Sequence, residues 1–273
     1  MSRFQVEPRL STWRKVALSA WGRANDPTIY GFLDLDATRA IDYVRRVREA
    51  TGVKATVTHV IGKAVALAFA ANPECNAVVS FGRLKRRDTV DVFFQVDVGG
   101  GANLSGAKVE RCDELSIADI ARKLGERTER IRQKGDTALQ KTQSMMMRLP
   151  TVLMGPALRL SEMATYDLGL DLTRLGVPFD AFGTVMVTNV GVLGIERGLA
   201  PLLPLSRVPA LLTVGAIKER VVAVDGAPAV RPMVTVGCTF DHRVSDGYQL
   251  GRMSVILRDA FENPDERIGP VGT

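Results

Sequence analysis

The sequence is poor in the two side chains that hold most structural metals. Its 273 residues include two histidines, His59 and His242, and three widely separated cysteines (Cys75, Cys112 and Cys238). No C-x-x-C pair occurs, and a Cys/His zinc site needs such closely spaced ligands, so we expect no metal. A sparse, odd number of cysteines also fits a reducing compartment, which predicts a cytoplasmic protein.

Aromatic residues are also scarce, at 6% of the chain, and the net charge of +6 comes from basic residues that are spread out. The sequence has no nucleic-acid motif and no aromatic platform beside its charges, so we expect no nucleic-acid partner. The densest basic run, RLKRRD at residues 83–88, is interpreted as a solvated turn, with a site for an anionic ligand such as a nucleotide phosphate as the alternative.

A run that could cross a membrane is missing as well. The most apolar unusual segment, SMMMRLPTVLMGPALRL at residues 144–160, contains two prolines and two arginines, and a spanning helix needs about 20 apolar residues. We interpret it as a core or oligomer-interface segment; a lid over an apolar acyl site and a membrane-surface contact stay open. The first residues lack the apolar core of a signal peptide, so none is expected.

What the sequence has is a mixture of strand and helix patterns. Strands are predicted at 27–36, 89–98, 183–190, 209–217, 220–224 and 230–240, with a hairpin turn at Asp225-Gly226. The 89–98 run alternates apolar and polar residues, which predicts a half-buried, antiparallel strand. Asp36 is expected to cap a helix that ends before Gly52. Together these patterns predict an α/β or α+β fold.

Two further helices complete the pattern. Residues 58–73 are apolar almost all round, which predicts a buried helix ended by Asn72-Pro73, with His59 as a structural histidine in its first turn. A helix with an apolar stripe is expected after Gly247, where Leu250 and Met253 begin that stripe.

The second histidine lies in a segment that combines groups able to do chemistry. In TFDHRVSDG, residues 239–247, His242 ends a predicted strand, and Asp246 and Gly247 follow four and five positions later. A histidine titrates near neutral pH, so it can take and return a proton. Asp246 could orient it or hold the turn, and Gly247 suits a position without room for a side chain. Local chemistry alone leaves catalytic and structural interpretations equally open.

The same segment resembles the His-Arg-x-x-Asp-Gly signature of the dihydrolipoyl acyltransferase component of 2-oxo-acid dehydrogenase complexes, and of chloramphenicol acetyltransferase, which shares that fold. The similarity extends to FGTVMVTNVGVLG (182–194), LLTVGAIKERVV (211–222), THVIGKAVALAFAANPECNAVV (58–79) and TWRKVA (12–17). It covers roughly residues 10–268, and it implies a mixed, largely antiparallel sheet flanked by helices.

The resemblance implies roles for individual residues. It makes His242 the general base that deprotonates a thiol and Thr188, where serine is usual, the donor to the oxyanion. Asp246 supports the site by pairing with an N-terminal arginine, for which Arg14 is the candidate, and Gly247 supports it structurally. The implied activity is coenzyme A-dependent transfer of an acyl group to a thiol such as dihydrolipoamide, with acyl-CoA as substrate and no metal.

Departures from the family bear on the acceptor and the assembly. We expect residues 1–273 to form one catalytic domain with an insertion at about 136–181 and no lipoyl or subunit-binding domain. The family implies a homotrimer, with a larger assembly and a lipoyl-bearing protein as further partners. The alternative is a structural homologue with reduced activity that builds trimers or cages.

Overall fold

A computed structural model describes residues 26–97, 104–134, 151–173, 178–203 and 206–271. Its strands are β1 (Thr28–Asp36), β2 (Ala77–Ser80), β3 (Arg83–Arg86), β4 (Val92–Asp97), β5 (Leu104–Val109), β6 (Val185–Asn189), β7 (Ala210–Val214), β8 (Lys218–Val224) and β9 (Ala227–Asp241). Its helices are α1 (Thr38–Thr51), α2 (Val57–Ala70), α3 (Ile117–Lys134), α4 (Thr151–Glu162), α5 (Gly247–Glu262) and α6 (Pro264–Arg267).

Seven strands form one mixed sheet in the order β1-β9-β7-β6-β4-β5, with β8 paired to the free end of the long strand β9. The β4–β6 and β6–β7 pairs are parallel, and the other pairs are antiparallel. A separate hairpin joins β2 to β3. The predicted mixed, largely antiparallel sheet flanked by helices is therefore confirmed.

One face of the sheet packs against the helices and forms the main core. Side chains at alternate strand positions point to this face, as in Val185 and Val187, which are both fully buried. Helix α2 lies in this core, as its apolar sequence predicts, with ten buried residues. His59 closes a capping box at the start of α2, where its Nδ1 accepts from the Thr56 backbone N–H at 2.9 Å. The structural interpretation of His59 is confirmed.

The second face of the sheet is covered by residues 194–203 and 206–208. This covering segment passes so close that Cβ atoms added to Gly215 and Gly237 would collide with the backbone oxygens of Glu196 and Gly198. The absence of side chains at these two glycines therefore allows the segment to lie flat on the sheet. Phe93 is only 8% exposed because it packs here, against Phe182 at 5.0 Å between ring centroids.

Several local predictions need correction. The alternating strand at 89–98 was expected to be half-buried and antiparallel. Residues 92–94 of β4 are instead all buried, although they alternate between the two faces, and β4 pairs parallel with β6 as well as antiparallel with β5. The covering segment causes this additional burial, and the local sequence pattern of the strand does not predict that segment. Asp36 precedes the helix cap, which is Ala37, although Asp36 Oδ1 accepts from the Thr38 backbone N–H at 2.8 Å.

The turn predictions hold where the backbone needs a left-handed residue. Gly52 ends α1 with a φ of 70°. Asp225 and Gly226, with φ of 50° and 80°, close the β8–β9 hairpin. Both central residues of this two-residue turn have positive φ, which matches the right-handed twist of the flanking strands.

The unusual segment at 144–160 is described from residue 151 onwards, where it forms α4. Most of its residues from 156 to 160 are exposed, and Leu160 is 62% exposed. The core interpretation is therefore wrong for residues 156–160 in a single chain, whereas the interface interpretation stays a prediction. Within the described ranges, no helix combines the length and the apolarity that crossing a membrane requires.

Candidate active site

His242 lies directly after β9, in a turn that Asp241 organises. The Asp241 carboxylate accepts from the Arg243 backbone N–H at 2.9 Å, and its backbone oxygen accepts from Val244 and Ser245 at 3.0 and 3.1 Å. The Arg243 side chain forms an ion pair with the same carboxylate at 2.7 Å. This turn fixes the backbone of His242, whose N–H donates to the Pro27 oxygen at 2.7 Å.

The imidazole of His242 is exposed, and no described residue makes a hydrogen bond or an ion pair with it. A ring that is held by its backbone and free at its side chain can accept a proton from an incoming substrate. The supporting roles of Asp241 and Arg243 were missed by sequence reasoning, although both residues stand beside His242 in the motif. A signal was available, because an aspartate at a strand end commonly bonds the backbone two residues later.

Asp246 is the N-cap of α5. Its carboxylate accepts from the backbone N–H groups of Tyr248 at 2.8 Å and Gln249 at 3.4 Å, and the Gln249 side chain accepts from the Asp246 N–H at 3.0 Å. This reciprocal pair satisfies donors that the first helical turn leaves free. Arg14, the predicted partner of Asp246, lies outside the described residues, so the ion pair stays a prediction.

The reason given for Gly247 is wrong within the described chain. A Cβ added there would meet nothing within 4 Å, and Gly247 does not have a positive φ. Gly247 is the exposed first residue of α5, where a single chain leaves room for a side chain.

Thr188 lies near the carboxyl end of β6, on the face opposite the helices. It is half-buried and pairs with Thr213 of β7. The next residue, Asn189, points to the helical face and donates from Nδ2 to Thr58 Oγ1 at 2.8 Å, which ties the end of β6 to the first turn of α2. The hydroxyl of Thr188 makes no hydrogen bond with any described residue, so it can donate to another group.

His242 and Thr188 lie at opposite ends of the sheet in one chain. Thr188 is paired with Thr213, and Thr213 is paired with Gly237 of the antiparallel β9. Two strand spacings therefore separate Thr188 from Gly237, and five residues of extended chain lead from Gly237 to His242. These two displacements are roughly perpendicular and together give about 19 Å between the backbones of Thr188 and His242. The two predicted groups cannot act on one carbonyl group within a single chain. The structure therefore does not bring these two predicted residues together in one copy.

A cleft of about 490 Å³ borders the His242 turn. Pro27, Asp241 and Arg243 line one side. Glu162, at the end of α4, and Asp167, in the π-turn that follows (Met163–Asp167), contribute to its wall. These two carboxylates hold Arg207, which donates to Glu162 at 2.6 Å and to Asp167 at 2.8 Å. The segment after residue 150 thus forms part of the surroundings of His242.

The other histidine, His59, and the three cysteines are buried. Burial lowers the pKa of His59 to about 4, with a further contribution from Arg48, so this ring is neutral near pH 7. Burial raises the pKa of the Cys238 and Cys112 thiols to about 12. No group of three or more His, Cys, Asp or Glu able to hold a metal occurs among the described residues. His242 is the histidine that remains available for proton transfer.

The basic run at 83–88 divides into two parts. All four residues of the strand Arg83–Arg86 are exposed, in line with a solvated segment. Arg87 is instead 9% exposed and forms an ion pair with Asp180 at 2.7 Å. The alternative of an anionic-ligand site is untested.

Comparison with known proteins places these features in a family. The sequence profile described as 2-oxoacid dehydrogenases acyltransferase (catalytic domain) matches residues 6–145 and 181–268. The chain is 27% identical over 204 residues to the dihydrolipoyllysine-residue succinyltransferase component of the mitochondrial 2-oxoglutarate dehydrogenase complex of Mus musculus, an alignment that covers 74% of this chain and 36% of that protein. The chain spans about a fifth to two fifths of the length of the curated relatives it matches.

Solved structures agree on the fold. The cubic core of the pyruvate dehydrogenase multienzyme complex superposes with a TM-score of 0.66 at 20% identity, over 89% of this chain and 85% of that one. A chloramphenicol acetyltransferase superposes with a TM-score of 0.52 at 15% identity, over 87% of this chain and 89% of that one. The resemblance on which the site prediction depends is confirmed, and the roles of the individual site residues stay predictions.

Proposed function

Because the chain belongs to the family of 2-oxoacid dehydrogenase acyltransferase catalytic domains, we propose that it transfers an acyl group between coenzyme A and a second thiol, such as that of dihydrolipoamide. The observation that carries the proposal is the exposed imidazole of His242, held by the Asp241 turn in the His-Arg-x-x-Asp-Gly motif.

The reaction requires one base and one oxyanion donor. The neutral imidazole of His242 takes the proton of the attacking thiol, and the resulting thiolate adds to the thioester carbonyl carbon. The Thr188 hydroxyl donates to the tetrahedral oxyanion, and removing one such donor typically costs about 3–4 kcal/mol in the transition state. Collapse of the intermediate breaks the carbon–sulfur bond to the leaving thiolate, which receives the proton from His242. No covalent bond to the protein forms.

The same geometry supports a site shared between copies. Since about 19 Å separates the two groups in one chain, a working site takes His242 from one subunit and Thr188 from another. We propose a homotrimer on this basis, with a larger assembly in line with the cubic core that the fold resembles. A lipoyl-bearing protein is the proposed partner. Three free, buried cysteines support a reducing compartment, for which we propose the cytoplasm.

The decisive experiment measures transfer directly. Purified protein is incubated with acetyl-CoA or succinyl-CoA and dihydrolipoamide, and released coenzyme A and the acylated acceptor are quantified. Acyl transfer that disappears in the His242→Ala variant supports the proposal. A folded wild-type protein that transfers no acyl group from any acyl-CoA in a wider panel contradicts it.

A scaffold with reduced activity is the competing function, and a binding measurement separates the two. Coenzyme A at a hundredfold excess over its dissociation constant should stabilise a binding protein by about 2.7 kcal/mol. If coenzyme A protects the protein against heating but no turnover occurs, the result favours a homologue that has lost activity and kept its coenzyme A site. Neither protection nor turnover would favour the scaffold.

A further inference from the structure

Thr213 carries a buried hydroxyl without a hydrogen-bond partner. The residue is 2% exposed, and its Oγ1 bonds to no other described atom. Most buried hydroxyls have a hydrogen-bond partner, and an exception calls for an explanation, of which a role in catalysis is one. The neighbouring threonines on the same face differ, since Thr239 donates to the Ala200 oxygen at 2.8 Å and Thr235 to Asp34 at 2.5 Å.

The position of Thr213 suggests that partner. Thr213 and Thr188 are directly paired across the parallel strands β7 and β6. Both side chains point to the same face, because Leu211 and Met186, two residues earlier in each strand, share the small core cluster there. A Cβ added to Gly198 of the covering segment would lie 3.4 Å from the Thr213 methyl carbon. The methyl group therefore faces the covering segment.

We propose that Thr213 is a positioning residue for Thr188. In the substrate-bound state the Thr213 hydroxyl donates to Thr188 Oγ1, so that the Thr188 proton is left to point at the oxyanion. Neighbouring strands lie about 4.8 Å apart, a spacing at which paired threonine hydroxyls reach each other by rotation about χ1. The hydrogen bond also strengthens Thr188 as a donor, because chains of hydroxyls polarise one another. This inference rests on the proposed acyl transfer.

The first test compares three single variants for stability and turnover. Thr213→Val removes a hydroxyl that has no partner, so the melting temperature should stay equal or rise while kcat falls roughly five- to tenfold, the size of one neutral hydrogen bond. Thr213→Ser keeps the hydroxyl and should restore kcat. Thr239→Val is the matched control: it leaves the Ala200 oxygen unpaired, so its melting temperature should fall. A Thr213→Val protein that loses stability like the control but keeps its kcat would contradict the proposal.

The second test asks whether the effect passes through Thr188. In a Thr188→Ala background, Thr213→Val should change kcat no further, because the hydroxyl it orients is gone. An undiminished loss in the double variant would mean that Thr213 acts elsewhere, and equal coupling of Thr239→Val to Thr188 would mean a general effect of packing. Either result overturns the proposal.

A structural readout keeps this test separate from the proposed function. Crystals of the wild type and of Thr213→Val, soaked with coenzyme A, show the χ1 rotamer of Thr188 whether or not the protein turns over. A Thr213–Thr188 hydrogen bond in the wild type and a changed Thr188 rotamer in the variant support the proposal. If the Thr188 rotamer is the same in both proteins, the positioning role of Thr213 is contradicted, even if acyl transfer is confirmed. If the rotamer changes but no acyl transfer is found, only the proposed reaction is contradicted.

Discussion

At the scale of single residues, His242 combines a fixed backbone with a free side chain. The Asp241 turn holds the backbone of His242 in place, and the imidazole is exposed, so a substrate can reach it. A base with these properties can be removed without disturbing the packing of the core, because its ring contributes little to the buried surface.

His242→Ala is expected to lower turnover at least about a hundredfold, the usual contribution of a general base, and to leave the fold intact. Steady-state transfer rates and circular dichroism of the purified variant check this. The matched control is Arg252→Ala, on the neighbouring helix α5, which is expected to retain activity. Near-normal transfer by folded His242→Ala protein would exclude the residue as the base.

Asp246 allows two roles to be distinguished by one substitution. Asparagine caps helices about as well as aspartate, so Asp246→Asn preserves the cap of α5 seen here and removes only the charge. If Asp246 anchors Arg14, the variant should lose stability as well as activity, because a charge is left without its partner. Urea unfolding and turnover are measured together.

Asp246→Ala serves as the comparison, since it removes both the charge and the cap, and the lost cap should add about 1 kcal/mol to the destabilisation seen in Asp246→Asn. Full stability combined with lost activity in Asp246→Asn would argue for a direct catalytic role and against the anchor.

At the scale of elements, α4 and the π-turn after it are joined to the rest of the fold by charge. Arg207, 20% exposed, donates to Glu162, to Asp167 and to the Val79 oxygen. The Arg207 guanidinium holds the pKa of Asp167 below its usual value. Few apolar contacts are available to replace this network, because residues 156–160 are largely exposed.

Arg207→Met is expected to destabilise the protein by about 2–4 kcal/mol, since two carboxylates at the surface of the cleft lose their partner. Urea unfolding at pH 7 measures the change. The control is Arg122→Met, which breaks an exposed ion pair with Asp119 and should cost about 0.5 kcal/mol or less. Equal effects of the two substitutions would contradict the anchoring role.

The same comparison has a defined pH dependence. Because the pKa of Asp167 is lowered in the folded state, its contribution to stability is complete above the unfolded value of about 4 and is lost as the pH falls through the folded value. The difference in unfolding free energy between wild type and Arg207→Met should therefore shrink as the pH falls below about 4. A difference that is constant over this range would show that Asp167 does not contribute.

Sequence patterns predicted the helices and strands better than the tertiary contacts between them. Strands and helices follow from periods of two and 3.6 residues, which each segment carries within itself. The buried position of Phe93 depends on a covering segment about 100 residues away in sequence, and Arg207 meets Val79 across 128 residues. No local pattern encodes such encounters. At the site, the motif identified His242, whereas its separation from Thr188 required the strand register.

At the scale of the whole molecule, base and donor at opposite ends of the sheet predict complementation between inactive subunits. His242→Ala and Thr188→Ala proteins are co-expressed with different affinity tags, and mixed assemblies are purified through both. Some interfaces then join the native His242 of one subunit to the native Thr188 of another, so transfer should rise well above either parent.

Assemblies made from a single variant, carried through the same purification, give the baseline. In verified mixed assemblies, activity no higher than the mean of the two parents would reject the shared site and favour both groups acting from one chain.

The approximately 19 Å between Thr188 and His242 also makes catalysis a property of concentration. If each site needs two chains, dilution below the dissociation constant of the assembly separates the two groups and abolishes turnover. Specific activity would then decline with enzyme concentration, whereas an enzyme complete in one chain keeps a constant specific activity. The amount of this protein in a cell would then determine the number of chains and also the fraction of chains that take part in a complete site.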